Sequence, residues 1–479
     1  MKSIKLLIIP LFLLVAYPVV AFGYEVGDTD TFFVDGSYSS NESDSVAGEA
    51  ILTSQRTVLY IESSFWNQKS EEEKEEIKEM LEDVVGEFDR KIYPDVTYAF
   101  GTEQYLGVDG SSKITLFFHQ TKSGVNGYTR NVDAYEKAVA PTSNERKMIY
   151  MSTDFGWTKE TLAHELVHLI TLNKKDLRYG TKEETWLNEA RAEYAVTMLG
   201  YNDGDDSYLD SRIDSFIERP HTSLTNWDNS NYNYGVVNAF VHYLVDHYGV
   251  RVLSNSLDSE KVGVESIEEV LKNSGYKEDF ADIFTNWAIA SYVNDCKIDS
   301  KYCFKNKKLA KVLIIPFANF LPFSGENTLY TGQTLSNYSA HWQRYAGGKG
   351  DLTIKFVNPS SKKMIVPYVI KKTSGENIVQ FINLNGNQEG EFTVSGIGST
   401  VGYVTVIPVL ADNIIDNQSY FYSLTAKTFS KEVEENTDYD DIELPFKVDK
   451  PLNQMNREEL LMVLIRTIIY LLSQGKLVI

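Results

Sequence analysis

The sequence predicts an α+β protein of several units: a mixed strand-and-helix region whose later half is helical, then a β-sandwich, then a short C-terminal helix. Three observations lead there. At 479 residues the chain exceeds what a single hydrophobic core organises. Its apolar positions recur at both helical and strand spacing as far as about residue 310, and at strand spacing alone from there to about residue 430. Its composition, 43% hydrophobic and 13% aromatic, is that of chains that pack cores. The divisions expected are 1–23, 24–62, 63–310, 311–430, 431–452 and 453–479.

The first segment carries Lys2, Lys5, the apolar run Leu6 to Val20 and the ending Ala21-Phe22-Gly23. That is the make-up of a secretory signal, so the mature chain is expected to begin near Tyr24 and to be secreted, free or held at the cell envelope. Pro10 and Pro18 argue against the alternative of an uncleaved anchor, and no transmembrane span is expected in the mature chain. The only cysteines, Cys296 and Cys303, are expected to form one disulfide in that oxidising setting. With 46 Lys plus Arg against 67 Asp plus Glu, the formal charge of −21 repels phosphate backbones, so no nucleic acid partner is expected.

Residues 24–62 alternate polar and apolar positions, as in Thr29 to Val34 and Val58 to Ile61, and read as an entry β-segment. Ser70 with Glu73 makes a capping box, and Ile77, Met80, Leu81, Val84, Val85 and Phe88 recur at helical spacing, so a helix is expected over 70–92. Ile114 to Phe118 and Lys147 to Met151 are runs of strand length, and the second is expected at a sheet edge open to an extended peptide. Helices are expected from a cap at Thr181 and Glu184 to near Gly200, then over Val236 to Tyr248, Ile267 to Asn273 and Asp279 to Val293.

Beyond these, Leu352 to Val357, Met364 to Ile370, Ile378 to Leu384, Val401 to Val409 and Tyr420 to Leu424 are short strand-like runs separated by Gly, Asn, Ser and Pro, the pattern of a β-sandwich. Residues 431–450 are rich in Glu and Asp and read as a solvated linker. Asn456 and Glu459 then cap an apolar helix over Leu460 to Leu472, closed by Gly475. At ~1.5 Å per residue that helix is too short for a ~30 Å bilayer core, so it docks on this chain, on a copy of itself, or on a membrane surface.

Candidate chemistry concentrates in Thr161-Leu162-Ala163-His164-Glu165-Leu166-Val167-His168-Leu169-Ile170. Residues four apart on a helix share a face, so His164 and His168 can reach one ion. Glu165 sits beside the first of them, where it can work on a water without ligating. The alternative, two histidines on a packed helix face, buries two imidazoles and a carboxylate among Leu162, Leu166 and Leu169 at a large desolvation cost. A catalytic zinc needs a third protein ligand, and Glu189 in Trp186-Leu187-Asn188-Glu189-Ala190-Arg191-Ala192-Glu193-Tyr194 is the candidate. Asp203, Asp205 and Asp206 lack the spacing of a calcium loop and read as a solvated turn.

Together, H-E-L-V-H and the later W-L-N-E-A-R-A-E-Y resemble the glutamate-ligand zincins, the group that includes thermolysin and the metallo-aminopeptidases. The stretches Tyr234 to Leu244 and Trp287 to Tyr292 are similar to the hyicolysin-type bacterial peptidases, and carry the resemblance over residues 70–300, with the C-terminal β region outside it. The resemblance implies a zincin-like catalytic domain with a helical C-terminal half, zinc as cofactor, Glu189 as third ligand and a protein or peptide substrate. It also implies that Glu193, one turn further on, accepts the outer N–H of a ligating imidazole; the alternative is a surface carboxylate. The G-x-M-x-N segment of the metallo-aminopeptidases is missing, which favours cleavage within chains.

By the Y-x-K-G offset of those enzymes, Tyr232 in Tyr232-Asn233-Tyr234-Gly235 is the expected donor to the negative charge that develops in the transition state, with Tyr234 and His221 as the other candidates. The expectation is a secreted zinc endopeptidase with an accessory β-sandwich. The competing expectation is a non-catalytic surface-binding protein in which the sandwich does the work, and an intact Glu165 argues against it.

Overall fold

The computed structural model of the chain describes residues 24–104, 106–323, 326–412, 418–429, 450 and 452–473. The expected leader and nearly all of the acidic linker lie outside the described residues. Helices and sheets are both present, an α+β fold with a sandwich-like sheet region.

The first sheet has β1 (Thr29–Phe33), β2 (Ser45–Thr53), β3 (Thr57–Glu62), β4 (Ile114–His119), β5 (Gly127–Tyr128) and β6 (Met148–Ser152), in the order β1-β2-β3-β4-β6-β5. Residues 24–62 therefore supply strands of this sheet. Parallel pairing joins β3 to β4 and β4 to β6, and every residue of these three strands is buried. Continuous apolar runs suit strands covered on both faces. The alternation sorts their side chains: Leu59, Ile61, Leu116, Phe118, Ile149 and Met151 join the main helical core, while Tyr60, Phe117 and Tyr150 join a second cluster with Phe32 and Tyr128. β6 is flanked on both sides, so the expected open edge at Lys147 to Met151 belongs instead to the short strand β5, antiparallel to β6.

The helices of this half are α1 (Ser63–Trp66), α2 (Glu71–Glu87), α3 (Tyr93–Phe100), α4 (Thr158–Thr171), α5 (Thr185–Met198), α6 (Tyr208–Glu218), α7 (Asn231–Tyr248), α8 (Arg251–Ser256), α9 (Gly263–Asn273) and α10 (Phe280–Val293). The Ser70–Glu73 capping box starts α2, with both reciprocal bonds made. Cys296 and Cys303 are disulfide-bonded in the loop after α10.

The second β region holds β7 (Phe317–Leu321), β8 (Glu326–Ser336), β9 (Ser339–Ala340), β10 (Gln343–Gly347), β11 (Gly350–Val357), β12 (Met364–Ile365), β13 (Pro367–Lys372), β14 (Asn377–Phe381), β15 (Glu389–Ile397), β16 (Val401–Val406), β17 (Val409–Leu410) and β18 (Ser419–Phe429). Strands β14-β13-β16-β10-β7 form one hydrogen-bonded run and β15-β11-β18-β8 another, joined at the single pair Ile397 and Val401. Inward residues of both runs, among them Tyr345, Ile354, Phe356, Val404, Val406 and Leu424, make a separate core. Trp342 anchors this region to the helices: it packs in their core and its indole Nε1 donates to Ala288 O at 3.0 Å.

The last helix, α11 (Arg457–Ser473), has the expected Asn456–Glu459 cap, and exposes Leu460, Leu461, Met462, Leu464, Ile465 and Tyr470. Among the described residues no helix is long and apolar enough to cross a membrane.

Candidate metal centre

Helix α4 lies directly under the sheet. Leu162, Ala163, Leu166, Val167 and Ile170 are buried in the main core, which leaves His164, Glu165 and His168 on the remaining face. The edge strand comes very close to this helix: a Cβ on Gly127 would sit 2.5 Å from Thr161 Cγ2 and 2.9 Å from Tyr150 O, so only glycine fits. Helix α5 crosses beside α4 and brings Glu189 and Glu193. It begins at Thr185, and the cap expected from Thr181 and Glu184 is not made. Trp186 Nε1 occupies the Glu184 carboxylate instead, donating to Oε2 at 2.6 Å.

His164, His168 and Glu189 converge, with one ligand atom of each within 4.8 Å of the others. His164 Nε2 lies 3.2 Å from Glu189 Oε2, and His168 Nε2 lies 3.6 Å from Oε1. A tetrahedral ion with ligand bonds of ~2.0–2.1 Å separates its ligand atoms by roughly 3.3 Å, so these residues fit a metal of that kind. The Glu165 carboxyl is beside the cluster and buried, and among the described residues its Oε2 has no hydrogen-bond partner. A buried carboxylate oxygen left bare costs free energy unless something polar completes the site, which again suits a metal centre and its water. Burial pushes the Glu165 carboxyl up to about 7, with Glu189 and Glu193 adding to the rise and His168 opposing it. For His164, burial opposes the charged imidazole, but the hydrogen bond and charge of Glu189 outweigh it and the pKa rises. For Glu189, burial is outweighed by His168 and His164, and the pKa falls.

Glu193 is fully buried and is no surface carboxylate. Its Oε1 lies 3.7 Å from His164 Nδ1, too long for a hydrogen bond but on the outer side of that ring. Three other side chains hold it. Tyr208 Oη donates to Oε1 at 3.0 Å, Arg212 Nη2 donates to Oε1 at 3.1 Å, and Asn238 Nδ2 donates to Oε2 at 2.7 Å. The Arg212 guanidinium also lies over the rings of Tyr208 and Tyr234, 4.5 and 4.4 Å from their centroids.

Tyr208 and Arg212 come from α6, a helix the periodicity reading passed over, although Ser207 with Asp210 is a capping box and Leu209, Ile213 and Phe216 recur at helical spacing. Contact of α6 with α7 depends on Gly235, where a Cβ would sit 2.6 Å from Phe216 N and 2.9 Å from Arg212 O.

The three candidate donors separate. Helix α7 starts at Asn231, five residues before the expected Val236, under a Ser230–Asn233 capping box. Tyr232 and Tyr234 are thus both helical and, at about 100° per residue, point to different sides. Tyr232 Oη donates to Glu218 at 2.8 Å on the exposed surface, away from the cluster. Tyr234 is half-buried, and burial followed by the charges of Glu189 and Glu193 raises its pKa. Of the two, Tyr234 is the one whose pKa the charges of Glu189 and Glu193 raise, whereas the Tyr232 hydroxyl is engaged by Glu218. His221 packs near His341, ring centroids 5.8 Å apart, and near Phe317, on the side of the second β region.

No family model and no curated protein matches the chain. Among solved structures it is similar to the pre-peptidase C-terminal domain of a collagenase from Bacillus anthracis, at 16% identity over 23% of this chain and 96% of that one, with a TM-score of 0.17. It is also similar to PliG, a periplasmic lysozyme inhibitor from Aeromonas hydrophila, at 10% identity over 23% and 97% of the two chains and a TM-score of 0.16. The mitogen of Yersinia pseudotuberculosis gives 13% identity over 23% and 92%, with a TM-score of 0.16. At these scores the likenesses carry no argument about fold or function. The site has to be read from its own geometry.

Proposed function

We propose that this chain is a zinc endopeptidase of the glutamate-ligand zincin kind that acts outside the cell. The observation that supports it most is the closure of His164, His168 and Glu189 on one point, with the bare Oε2 of a buried Glu165 alongside. Zinc suits two imidazoles and one carboxylate, and when bound it supplies a Lewis acid that polarises a scissile carbonyl.

The remaining work falls to side chains of this chain. Glu165, with its carboxyl near 7, takes a proton from the attacking water at Oε2 and hands it to the leaving amine, acting as base and then as acid. Tyr234 donates from its hydroxyl to the oxygen on which negative charge develops. Glu193, held by Tyr208, Arg212 and Asn238 on the outer side of the His164 ring, supplies the negative charge that favours the tautomer protonated at Nδ1, leaving Nε2 free to ligate. The open edge of β5 offers backbone groups with which an extended peptide can pair. The disulfide suits the oxidising surroundings of an exported protein.

The test is to incubate zinc-loaded protein and its Glu165→Gln variant with a mixed protein substrate and to sequence the fragments. Internal cuts by the parent and none by the variant are expected. Release of single N-terminal residues would replace the endopeptidase with an aminopeptidase, and no cutting by either protein would favour the binding-protein reading.

A further inference from the structure

Two apolar surfaces of this chain lie uncovered. One is the ridge that leads into and along β7. From Val312 to Phe323 the sequence carries no charged residue, and Leu313, Ile315, Phe317, Phe320 and Phe323 are exposed, with Ile315 at 83%, Phe320 at 74% and Phe323 at 73%. Among the described residues β7 pairs only with β10, in a parallel register from Phe317 with Gln343 to Leu321 with Gly347, so its other side is an open sheet edge. Soluble proteins guard such edges with charged side chains or cover them with a helix or loop, and an apolar edge with neither calls for a partner.

The other surface is α11. No described residue of this helix joins any of the three apolar cores, and Leu460, Leu461, Met462, Leu464 and Ile465 are exposed. At about 100° per residue, Leu461, Leu464, Ile465 and Ile468 form one stripe, while Glu459, Arg466 and Thr467 fall on the opposite side. That pattern suits a helix laid by one side on an apolar surface.

The chain itself brings the two together. The last pair of β18 with β8 sets Phe429 opposite Glu326, which follows Phe323 by three residues. With strands ~4.8 Å apart and at most ~3.6 Å per residue, the chain leaves the β region within roughly 16 Å of the ridge. Residues 430–456 separate Phe429 from α11, a tether whose greatest reach is roughly 90 Å, ample for any point of the β region. Tethering gives the helix an effective concentration approaching ~1 mM at the ridge, far above that of a second copy in dilute solution. A lipid surface is disfavoured by the formal charge of −21 and by Glu458 and Glu459 at the start of the helix.

We propose that α11 docks on the β7 edge of its own chain, its stripe of Leu461, Leu464, Ile465 and Ile468 laid against Phe320 and Phe323, so that the helix caps the open edge. This does not depend on the peptidase reading.

Paired cysteines in the full chain test it, since Cys296 and Cys303 are already bridged and Phe320, Leu464 and Arg466 are exposed positions. Phe320→Cys with Leu464→Cys is expected to close an intramolecular disulfide under mild oxidation at least about tenfold faster than Phe320→Cys with Arg466→Cys, and at a rate independent of protein concentration. Non-reducing gels and intact mass distinguish bridged monomers from bridged dimers. Hydrogen exchange over residues 317–323 is expected to be about tenfold slower in the parent than in Leu464→Asp. Equal bridging rates for the two pairs would overturn the docking, because the tether alone then accounts for both, and so would equal exchange in parent and variant. Bridges formed chiefly between chains would overturn it in favour of a second copy. Flotation of the parent, but not of Leu464→Asp, with phosphatidylcholine vesicles would overturn it in favour of a lipid surface.

Discussion

Helices α4 and α5 meet the site through His164, Glu165, His168 and Glu189, which face one another, whereas α6 and α7 meet it through Tyr208, Arg212 and Asn238, which face Glu193. In the first pair the two imidazoles are set within one helix, because spacing of four residues alone puts them on one face, and α5 adds Glu189. In the second pair it is set by how closely two helices approach, and that approach turns on the missing side chain of Gly235. A site of this kind has ligands that depend on local structure and supports that depend on packing, so the two should fail in different ways when altered.

The largest effects belong to the first pair. His168→Ala and Glu189→Ala are each expected to abolish stoichiometric zinc binding and all peptide cleavage, while Glu165→Gln keeps the zinc and loses the cleavage. Metal analysis of purified variants decides it, and full zinc content in Glu189→Ala would remove that residue from the ligand set.

The second pair should fail through stability first. Arg212→Met leaves the Glu193 carboxylate buried with one cation fewer, and breaking a buried pair on one side costs about 3–5 kcal/mol. Zinc affinity is expected to fall about 10–100-fold as well, since the support of His164 is loosened. Adding Glu193→Gln to Arg212→Met should recover much of the stability, because no bare charge remains, without recovering the zinc affinity. Urea unfolding of the zinc-free proteins and chelator competition measure the two effects separately. An Arg212→Met protein as stable as the parent would show that the α6 contact is peripheral.

Within α7 the contrast narrows to neighbouring tyrosines. Tyr234→Phe is expected to lower kcat about a hundredfold with KM little changed, the signature of a bond made mainly in the transition state, and Tyr232→Phe to leave both near the parent values. The reverse result would return the donor to Tyr232.

What could be read from the sequence follows the same division. The pair His164 and His168 and the capping box at Ser70 depend on spacing inside one helix, and the structure has that box and brings the two imidazoles together with Glu189 of α5. The alternating strands of the second β region were visible for a similar reason, since Leu352, Ile354 and Phe356 all point into its core. Arg212 was invisible because nothing in α6 itself says that its guanidinium will be enclosed by Tyr208, Tyr234 and Glu193 from three different elements. The preference for Tyr232 over Tyr234 comes from the Y-x-K-G offset, a match of residue letters that carries no information about where either side chain lies. The Ser230–Asn233 box, a less familiar capping pair than Ser with Glu, moves the helix start to Asn231 and puts both tyrosines in its first turn, where Tyr234 is the one that feels the charges of Glu189 and Glu193. The open edge was assigned to Lys147 to Met151 because apolar length marks a strand and carries no information about its neighbours.

The smallest effect expected sets the first sheet against the second β region through one buried histidine in each. His119, at the end of β4, shares a hydrogen bond of 2.9 Å between Nε2 and Tyr128 Oη, with Glu62 nearby, and burial lowers its pKa to about 4. His341 shares one of 2.9 Å between Nδ1 and Tyr422 Oη, and burial followed by the charge of His221 lowers its pKa to about 4 as well. In the unfolded chain both titrate near ~6.5. Each is therefore neutral in the fold and takes up a proton on unfolding once the pH drops below that value. The unfolded state then binds more protons than the native one, so stability falls as the pH goes from about 6.5 toward 4 and is unaffected by these groups above that window. At pH 5.5 the loss should be about 1 kcal/mol for each histidine. Urea unfolding at pH 7.5 and 5.5 of the parent, His119→Asn and His341→Asn measures it. Each variant should lose its own share of the difference, His119→Asn in the transition of the first sheet and His341→Asn in that of the second β region. If one variant flattened the pH dependence of both transitions, the two regions would unfold as one unit, and the contact of Trp342 with Ala288 would be what couples them.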